Sequence, residues 1–482
     1  MITADTDLRV AQLKPSLRLL SSDLVERALE EAFELLMDPG VRIGTSETLE
    51  LLAGAGARTE NGIAHIPRSV AERCLQSVPR SFHLHDRSGN AVVHYGGDDV
   101  HFDPGSSCLN ILDAESQQAR PAQTADLVRL VQVAEMLAQY SAQSTAMVCN
   151  DVPQDVGDFY RLLIVLRYSS KPVVTGAFSG KTLAAMLDLL IADSGGAANL
   201  QRMPRAVFDV CPSPPLNWSD FASENLLQLA RAGVPAEIVS MPLAGATAPV
   251  TLIGSVAQHA AECVSGITIH QIACEGSPIV WGGAPAIFDM STGNAPMGAI
   301  ETAMLNLACT QVGKHLGLPT HGYLVATDSR HVDAQAGMES ATSAALGALA
   351  GINMISGAGM LDALACHSVE KLIIDAEAIA SAQRIVQGVQ VETDTLATAM
   401  FHQVGLSGEF LKMRETRTLF RNEQHFPSSV IQRGELLPGE AEQDCYQRAR
   451  HRADELVSSY SPPAVPYSIQ KRIEEISGRV LG

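Results

Sequence analysis

The stretch PTHGYLVATDSRHVDAQAGMESATSAALGALAGINMISGAGM, residues 319–360, contains the pattern that decides the fold. PTHGYLVAT at 319–327 is a short β-prone run, SATSAALGALAG at 340–351 favours helix, and NMISGAGM at 353–360 is β-prone again. Two strands separated by a helix pair in parallel, because the helix carries the chain back to the same edge of the sheet. The stretch therefore predicts one β-α-β unit.

The same alternation continues through most of the chain, with one unit every 25–40 residues or so, as repeated β-α units have. Seven strands are predicted: STAMVCN (144–150), KPVVTGAFS (171–179), AVFDVCPS (206–213), AEIVSMPLAG (236–245), PIVWGGAP (278–285) and the two runs above. An eighth unit is not clear. Strands this apolar indicate a parallel sheet buried on both faces. A closed (β/α)8 (TIM) barrel is the economical arrangement, and a doubly wound sheet is the alternative, although no G-x-G-x-x-G follows the first strand.

Three regions are predicted around this pattern. Residues 1–120 combine an amphipathic helix with short alternating strands and form an N-terminal α+β cap. Residues 121–400 form the α/β barrel, and residues 401–482 form a C-terminal helical appendage that packs on it. The segment 341–360 is long enough to span a membrane, but it is rich in Ala, Gly and Ser rather than Leu, Ile and Phe. We expect a closely packed helix that runs into a strand, and no membrane insertion.

Composition limits the classes of partner. The 482 residues are 46% hydrophobic and carry a formal net charge of −19, so electrostatics do not support binding to nucleic acid or to an anionic membrane. The nine cysteines are scattered without C-x-x-C spacing, which is typical of reduced thiols, and the acidic N-terminus does not resemble a signal peptide. We predict a cytoplasmic protein that binds small molecules or a protein partner and that can form a homo-oligomer.

The active site of an α/β barrel lies at the carboxyl ends of the strands. The residues there are mostly small, neutral or aromatic, and no lysine ends a strand, which argues against Schiff-base chemistry. The polar exception is the loop that begins Thr327-Asp328-Ser329-Arg330-His331. With His321 and Asp333 nearby a metal site is conceivable there, but capping and hydrogen bonding are the better interpretation, and no metal is expected.

Aromatic side chains in and after the strands suit a bulky cation. Phe178, Trp218, Phe288 and Tyr323 are such residues, and a quaternary ammonium binds well to aromatic faces. Packing in the core is the competing interpretation, most strongly for Trp281 within its strand.

Four long segments resemble the trimethylamine methyltransferase family of corrinoid-dependent enzymes: HFDPGSSCLNILD (101–113), WGGAPAIFDMSTGNAPMGAIE (281–301), HGYLVATDSRHVDAQAGMES (321–340) and SGEFLKMRETRTLFRNE (407–423). The resemblance implies a TIM barrel that passes a methyl group from an amine to the Co(I) of a separate, cognate corrinoid protein. The chain consists of the twenty standard residues, so it resembles the branch without pyrrolysine, whose characterised members act on quaternary amines such as glycine betaine. In-line displacement from such an amine needs positioning rather than an acid or a base.

The resemblance also implies roles for individual residues. His321, Tyr323, Asp328 and Asp333 would form the catalytic floor, with the two acids orienting the loop. Thr327, Ser329, Gln335, Gly357 and Gly359 would lie against the corrinoid. Phe178, Trp218, Phe288, Arg330, His331 and Glu409 would bind the amine and, in a betaine, its carboxylate. A surface ion pair with Asp328 or Asp333 is the alternative for Arg330, and Glu409 replaces a His that is common in the family.

Two other functions stay open. One is a metal-assisted barrel lyase or hydrolase, and the other is a betaine-binding relative without catalysis. Stoichiometric bound metal would favour the first, and binding without turnover would favour the second.

Overall fold

The structure, a computed structural model, describes residues 14–391, 396–435 and 442–482. Its centre is a barrel of eight parallel strands, each followed by a helix. The strands are β1 (His101–Pro104), β2 (Gln143–Ser144), β3 (Val173–Gly176), β4 (Ala206–Val210), β5 (Ala236–Ile238), β6 (Ile279–Val280), β7 (His321–Tyr323) and β8 (Met354–Ala358). The helices are α1 (Thr124–Met136), α2 (Gly157–Tyr168), α3 (Gly180–Asp193), α4 (Asp220–Ala232), α5 (Leu252–Ala273), α6 (Ile300–His315), α7 (Ala334–Leu349) and α8 (Val369–Val386). The predicted TIM barrel is confirmed.

Pairing between neighbouring strands closes the barrel. Strands β2 to β6 pair in chain order, and β7 pairs with β8, which pairs with β1. A parallel bridge between Trp281 and Thr320 joins β6 to β7. The Ser141 N–H donates to the Phe102 carbonyl at 3.0 Å and joins β1 to β2. All eight strands therefore place their carboxyl ends at one mouth.

The eighth strand, which the sequence did not reveal, is β1. It covers four residues between turn-forming Gly and Asp residues, so its sequence resembles a hairpin more than a buried strand. These residues lie in the region 1–120 that was predicted as the cap. The first barrel strand thus precedes the predicted boundary at residue 120, and the three-domain division itself stays a prediction.

The N-terminal region packs on the outside and the amino end of the barrel. Its helices are Ser22–Met37, Ser46–Ala55 and Arg68–Ser77. The strands Val41–Ile43, Arg58–Glu60 and Ile63–His65 form a small sheet with Asn217–Trp218. The hairpin of strands Phe82–His85 and Ala91–Tyr95 closes the amino end, where its buried side chains pack against those of β3, β4, β6 and β8.

The segment 341–360 forms the last part of α7 and the strand β8, as predicted. A Cβ atom on Gly347 would lie 2.7 Å from Leu324 Cδ1 and 2.9 Å from Ile355 Cδ1. Only glycine permits this approach, so the small residues of α7 serve close packing onto β7 and β8. Among the described residues, no helix combines the length and the apolar character that a membrane span needs.

Further elements lie at the mouth and the C-terminus. Strands Asn110–Leu112, Ala119–Pro121, Met360–Leu361 and Cys366–His367 form a four-stranded sheet, and Leu243–Ala244 pairs with Ala286–Ile287. The predicted C-terminal helical appendage contains helices Thr398–Val404, Arg414–Glu423, Cys445–Ser459 and Tyr467–Leu481. The Tyr460 hydroxyl donates to the Tyr168 carbonyl at 2.6 Å and fixes the appendage to α2.

Candidate active site

The inside of the barrel is arranged in layers. At the amino end, Val174, Val207, Val280 and Met354 pack against the hairpin. Side chains alternate along a strand, so the positions two residues further on also face inward. Two of these positions are polar, Asp209 and Ser356, and two are glycines. A polar layer therefore lies above the apolar one, in the middle of the barrel.

Three carboxyl groups belong to this layer: Asp103 on β1, Asp209 on β4 and Glu237 on β5. The Ser356 hydroxyl donates to Asp103 Oδ1 at 2.6 Å, and His321 Nε2 lies 3.0 Å from the Ser356 oxygen. Because Ser356 uses its own hydrogen toward Asp103, its oxygen accepts from the histidine. This assigns the hydrogen of the neutral imidazole to Nε2 and leaves Nδ1 as a lone pair.

On the other side of this polar layer, Glu237 contacts both Tyr95 and His321. The Tyr95 hydroxyl, from the amino-end hairpin, donates to Glu237 Oε2 at 3.0 Å. Glu237 Oε1 lies 3.4 Å from His321 Nδ1, which is longer than an ordinary hydrogen bond. We call the set Asp103, Asp209, Glu237, His321 and Ser356 the inner layer.

Four atoms of the inner layer have no hydrogen-bond partner among the described residues: Asp103 Oδ2, Asp209 Oδ1, Glu237 Oε1 and His321 Nδ1. Burial of an unpaired polar atom costs roughly 1–3 kcal/mol, so four together indicate a surface that binds something. Asp103 and Glu237 are completely buried, whereas Asp209 is partly exposed. Asp209 is therefore the acidic residue of the inner layer with the most accessible surface, although its Oδ1 atom is itself buried.

The electrostatics of the inner layer favour a bound cation. Burial, followed by the neighbouring carboxylates, raises the pKa of Glu237 well above its usual value, and burial does the same to the pKa of Asp103. Burial lowers the pKa of His321 to about 3, so this ring adds no positive charge at neutral pH. A cation would relieve the repulsion between the carboxylates.

Above the inner layer, Tyr323 forms part of the floor of the mouth. Its hydroxyl accepts a hydrogen bond from the Ser106 N–H at 2.9 Å and lies 3.2 Å from Met360 Sδ. The ring is 7% exposed and packs with small and apolar side chains, among them Cys108, Val239 and Ala284. The way into the barrel is thus apolar and aromatic above and acidic below, which suits a cation with apolar substituents.

The predicted loop after β7 has its polar groups engaged within the protein. Asp328 accepts hydrogen bonds from the N–H groups of Met297 (2.7 Å) and Gly298 (3.1 Å) and so joins the loops after β6 and β7. The Thr327 hydroxyl donates to Glu339, and the Ser329 N–H donates to Thr327 Oγ1. These contacts order the mouth and leave few polar groups of the loop free for a ligand.

The end of the same loop begins helix α7. Asp333 is the N-cap residue, and its side chain accepts from the Ala336 N–H at 3.0 Å, while Gln335 bonds to Glu339. Arg330 is exposed and pairs with Asp362 at 3.0 Å, so the expected surface ion pair exists but with a different acid. The His331 N–H donates to Ser329 Oγ. The roles of these residues toward a substrate stay predictions.

Gly357 and Gly359 adopt positive φ angles of 117° and 84°. A Cβ atom on Gly357 would lie 2.0 Å from the Leu324 carbonyl oxygen, and one on Gly359 would lie 2.2 Å from the His367 ring. Packing thus requires both glycines, whatever they contact at the mouth.

The aromatic residues and the glutamate that were predicted to bind the amine lie in separate parts of the structure. Phe178 is exposed at the mouth, 5.9 Å from the Arg161 guanidinium, and Phe288 is half-buried beyond β6. Trp218 is completely buried on α5, where its Nε1 donates to Ser265 Oγ at 2.8 Å. Glu409 lies in the C-terminal appendage and pairs with Lys412. The structure does not bring Trp218 or Glu409 to the mouth.

Asp103, Asp209 and Glu237 were not among the predicted site residues, because they lie within their strands and the predicted site consisted mainly of residues that follow a strand. The signal was a single acid inside an apolar strand, as in AVFDV and AEIV. A buried charge needs a partner or a function. In the part of the chain that the structure describes, no group of three or more His, Cys, Asp or Glu side chains is arranged to hold a metal ion.

Fold and site together define a class: a (β/α)8 barrel whose lumen carries three buried or partly buried carboxyl groups. Comparison with known proteins is more specific. The family model "Trimethylamine methyltransferase (MTTB)" matches residues 3–479. The chain belongs to the trimethylamine methyltransferase family, and it is a methyltransferase.

Two curated relatives illustrate the range of the family. A protein named trimethylamine methyltransferase MttB, from Desulfitobacterium hafniense (strain DSM 10664 / DCB-2), is 28% identical over 92% of this chain and 90% of its own length. A glycine betaine methyltransferase from D. hafniense (strain Y51) is 27% identical over 96% of this chain and 97% of its own length. The crystal structure of the Methanosarcina barkeri monomethylamine methyltransferase MtmB matches with a TM-score of 0.52 at 11% identity, covering 96% of this chain and 88% of that one. It supports the barrel fold.

Proposed function

We propose that this protein transfers a methyl group from a quaternary amine, of the glycine betaine type, to the Co(I) of a cognate corrinoid protein. The observation that carries the proposal is the inner layer itself, which contains four unpaired polar atoms and the partly exposed acidic residue Asp209. It supports a positively charged substrate. The twenty standard residues of the chain support the branch of the family that does without pyrrolysine.

The substrate nitrogen would lie between Asp209 and Tyr323. A quaternary ammonium has no N–H group, so it cannot use directed hydrogen bonds and depends on charge and on an aromatic face. Asp209 supplies the charge from below, and the Tyr323 ring, which is held by Ser106 and Met360, supplies the face. The fixed ring orients one methyl group toward the mouth.

Co(I), when the corrinoid is in place, supplies the nucleophile. The bond between nitrogen and methyl carbon breaks, its electron pair stays on nitrogen, and a neutral tertiary amine leaves, so no proton has to be moved. The positive charge on nitrogen fades during this step, which weakens the attraction to Asp209. Asp209 therefore contributes mainly to binding, and the aromatic and apolar walls contribute to positioning.

The rim of the mouth fits a protein that carries the corrinoid. Large apolar side chains are exposed on loops and helix starts at the carboxyl end of the barrel: Leu109, Phe178, Met241, Val250, Met290 and Met338. A cluster of exposed apolar residues around a pocket is typical of a docking surface.

The carboxylate of a betaine would have to point toward the mouth, away from the inner layer. Arg330 was predicted to bind it, but Arg330 is exposed and paired with Asp362. Choline lacks this carboxylate, so the ratio of glycine betaine to choline activity reports whether any donor at the mouth binds it.

A cytoplasmic location is part of the proposal. All nine cysteines are free thiols, which is typical of proteins in a reducing compartment.

The test mixes the purified protein with chemically reduced cob(I)alamin and one amine at a time: glycine betaine, proline betaine, carnitine, choline or trimethylamine. Methylation of the cobalt is followed by absorbance. We expect turnover with at least one quaternary amine and none with trimethylamine. The Asp209→Asn variant serves as the matched comparison, since it keeps the size of the side chain and should need a higher amine concentration for the same rate.

Turnover with trimethylamine alone would overturn the choice of a quaternary amine. Amine binding without turnover, with free cob(I)alamin and with a candidate corrinoid protein alike, would favour the non-catalytic betaine-binding alternative. Stoichiometric bound metal that is required for activity would favour a metal-assisted reaction instead.

A further inference from the structure

Val325, two residues after the end of β7, adopts a left-handed backbone conformation with a φ angle of 61°. A β-branched residue rarely takes this conformation, because its side chain crowds the backbone there. The side chain is completely buried. Strain of this kind persists only where the surrounding structure enforces it, and it is concentrated at functional sites. The contacts that hold Val325 are therefore candidates for a functional role.

A buried lysine on helix α8 holds this turn. The Lys371 ammonium group donates to the Val325 carbonyl at 3.0 Å, to Ser340 Oγ at 2.8 Å and to Asp375 Oδ2 at 2.6 Å. An ammonium group has three hydrogens, so all of them are used. Lys371 is 1% exposed, and its protonated nitrogen has no lone pair with which to attack a substrate. Its side chain serves as a fixed donor to three groups.

Asp375 extends this contact to the neighbouring turn. Its Oδ2 atom also accepts the Gly359 N–H at 2.7 Å, directly after β8, where Gly359 has a positive φ angle of 84°. Both side chains of the pair are buried. Burial lowers the pKa of Lys371 and raises the pKa of Asp375, so each charge depends on the other. The pair thus joins the turns after β7 and β8 to one point on α8.

The two turns position side chains that meet in the floor of the mouth. Tyr323 lies two residues before Val325, and Met360 directly follows Gly359. The Tyr323 hydroxyl and Met360 Sδ are 3.2 Å apart. A Cβ atom on Gly105 would lie 2.1 Å from the same sulfur, so the sulfur also packs closely against the turn after β1. A shift of either turn would therefore move the Tyr323 ring.

We propose that Lys371 and Asp375 are positioning residues for methyl transfer, which fix the strained turn at Val325 and thereby the Tyr323 ring. The inference rests on the proposed function, in which this ring orients the methyl group of the quaternary amine. Neither residue of the pair contacts the substrate. Because the pair controls geometry rather than the charge of the inner layer, its loss should lower kcat and leave KM nearly unchanged.

Two variants separate this role from a purely structural one. Lys371→Met leaves a buried, unpaired Asp375, so the midpoint of urea denaturation should fall clearly. Addition of Asp375→Asn removes the second charge, nearly keeps the size of both side chains and should restore most of the lost stability. In both variants we expect kcat with the best quaternary amine to fall about 10–100-fold, and KM to stay within about twofold of the wild type.

A second measurement does not depend on activity. The Met360 methyl group, labelled with carbon-13 and assigned through Met360→Leu, gives an NMR signal that is sensitive to the nearby Tyr323 ring. Its chemical shift should change in the double variant, because the two side chains no longer meet in the same way. The signal of Met37, at the end of an N-terminal helix, should stay in place.

Ser340→Ala is a milder test, which covers the case that loss of the pair disrupts folding. It deletes one donor to the Val325 carbonyl, at 3.1 Å, together with one acceptor of Lys371, and kcat should fall about threefold. The matched control is Ser265→Ala, which deletes an equally buried hydroxyl on α5, the acceptor of Trp218 Nε1. It should lose similar stability and keep the wild-type kcat.

A double variant that recovers both stability and kcat would overturn the inference, as would an unchanged Met360 signal. Equal losses of kcat in Ser340→Ala and Ser265→Ala would also overturn it, since they would show a general effect of stability. A wild type that methylates cobalt with no amine of the panel would contradict the proposed function instead. In that case the methionine signal would still test the link between Lys371 and Tyr323.

Discussion

The inner layer and the loop after β7 are both rich in polar groups, but they differ in how these groups are used. In the loop, Asp328 accepts two backbone N–H groups, and Thr327 donates to Glu339. In the inner layer, four atoms have no partner among the described residues. A polar cluster whose bonds are complete stabilises structure, whereas one with incomplete bonds is suited to a ligand.

The same difference explains why the loop after β7, and not the inner layer, was predicted from the sequence as the site. Its polar residues are adjacent in sequence, so they form a visible motif, whereas the inner layer takes single residues from five different strands. The five predictions that follow test the division between the two regions, beginning with the largest effect.

Asp209→Asn should raise KM for the quaternary amine by about 10²-fold, since loss of a charge partner in a desolvated site costs on the order of 2–3 kcal/mol. kcat/KM should fall by a smaller factor than KM rises, because the charge of the substrate fades in the transition state. Steady-state kinetics over a range of amine concentrations measures both constants. A variant with wild-type kinetics would remove the inner layer from substrate binding.

The dependence of kcat/KM on pH should reflect the ionisation of the same carboxyl group, Asp209. Burial raises the pKa of Asp209 to about 7, and the ionised form binds the cation, so kcat/KM should rise with pH until about 7 and then level off. Below that value kcat/KM should fall toward the value of the Asp209→Asn variant, whose side chain is likewise neutral. A quaternary amine does not titrate, so the inflection belongs to the enzyme. It should disappear in Asp209→Asn, and its persistence there would assign it to another group.

Tyr323→Phe should reduce kcat/KM by about 3–10-fold. The ring stays, but the Ser106 N–H loses its acceptor, which costs on the order of 1 kcal/mol and loosens the floor. Kinetics with the best quaternary amine measures the effect. A loss as large as that of Asp209→Asn would show that the hydroxyl itself contacts the reacting groups.

Asp328→Asn is the matched counterpart of Asp209→Asn in the loop. It weakens two hydrogen bonds that join the loops after β6 and β7, so the free energy of unfolding should fall by about 1–2 kcal/mol. Methyl transfer should change by less than about threefold, because the carboxylate holds backbone rather than substrate. Chemical denaturation and kinetics together separate the two effects. A selective loss of activity with unchanged stability would return the loop to the mechanism.

Arg330→Ala should have the smallest effect. Its partner Asp362 lies at the surface, and exposed ion pairs contribute little. The ratio of KM for glycine betaine to KM for choline should therefore stay as in the wild type. A rise in this ratio would show that Arg330 leaves Asp362 to bind the substrate carboxylate.

Much of the fold was predictable. The six helical stretches between the seven predicted strands correspond to α2 through α7, because alternation of apolar runs is a local property of the chain. The strand β1 was missed, since four residues flanked by turns have no distinguishing pattern. Trp218 was assigned to the mouth because it follows a strand, yet it packs on α5, and only the path of the chain after Pro215 decides this.

The sequence by itself determined the barrel, through the repeated β-α unit, and the family, through long motifs in order. Tertiary structure decided which polar groups are free. Ser356 and Asp103 are 253 residues apart and 2.6 Å distant, and Tyr95 reaches Glu237 from the opposite end of the barrel. Whether a buried polar group has a hydrogen-bond partner depends on residues that are far apart in sequence. A sequence motif contains only residues that are close in sequence. For that reason the loop after β7 was visible in the sequence, and the inner layer became visible only in the folded chain.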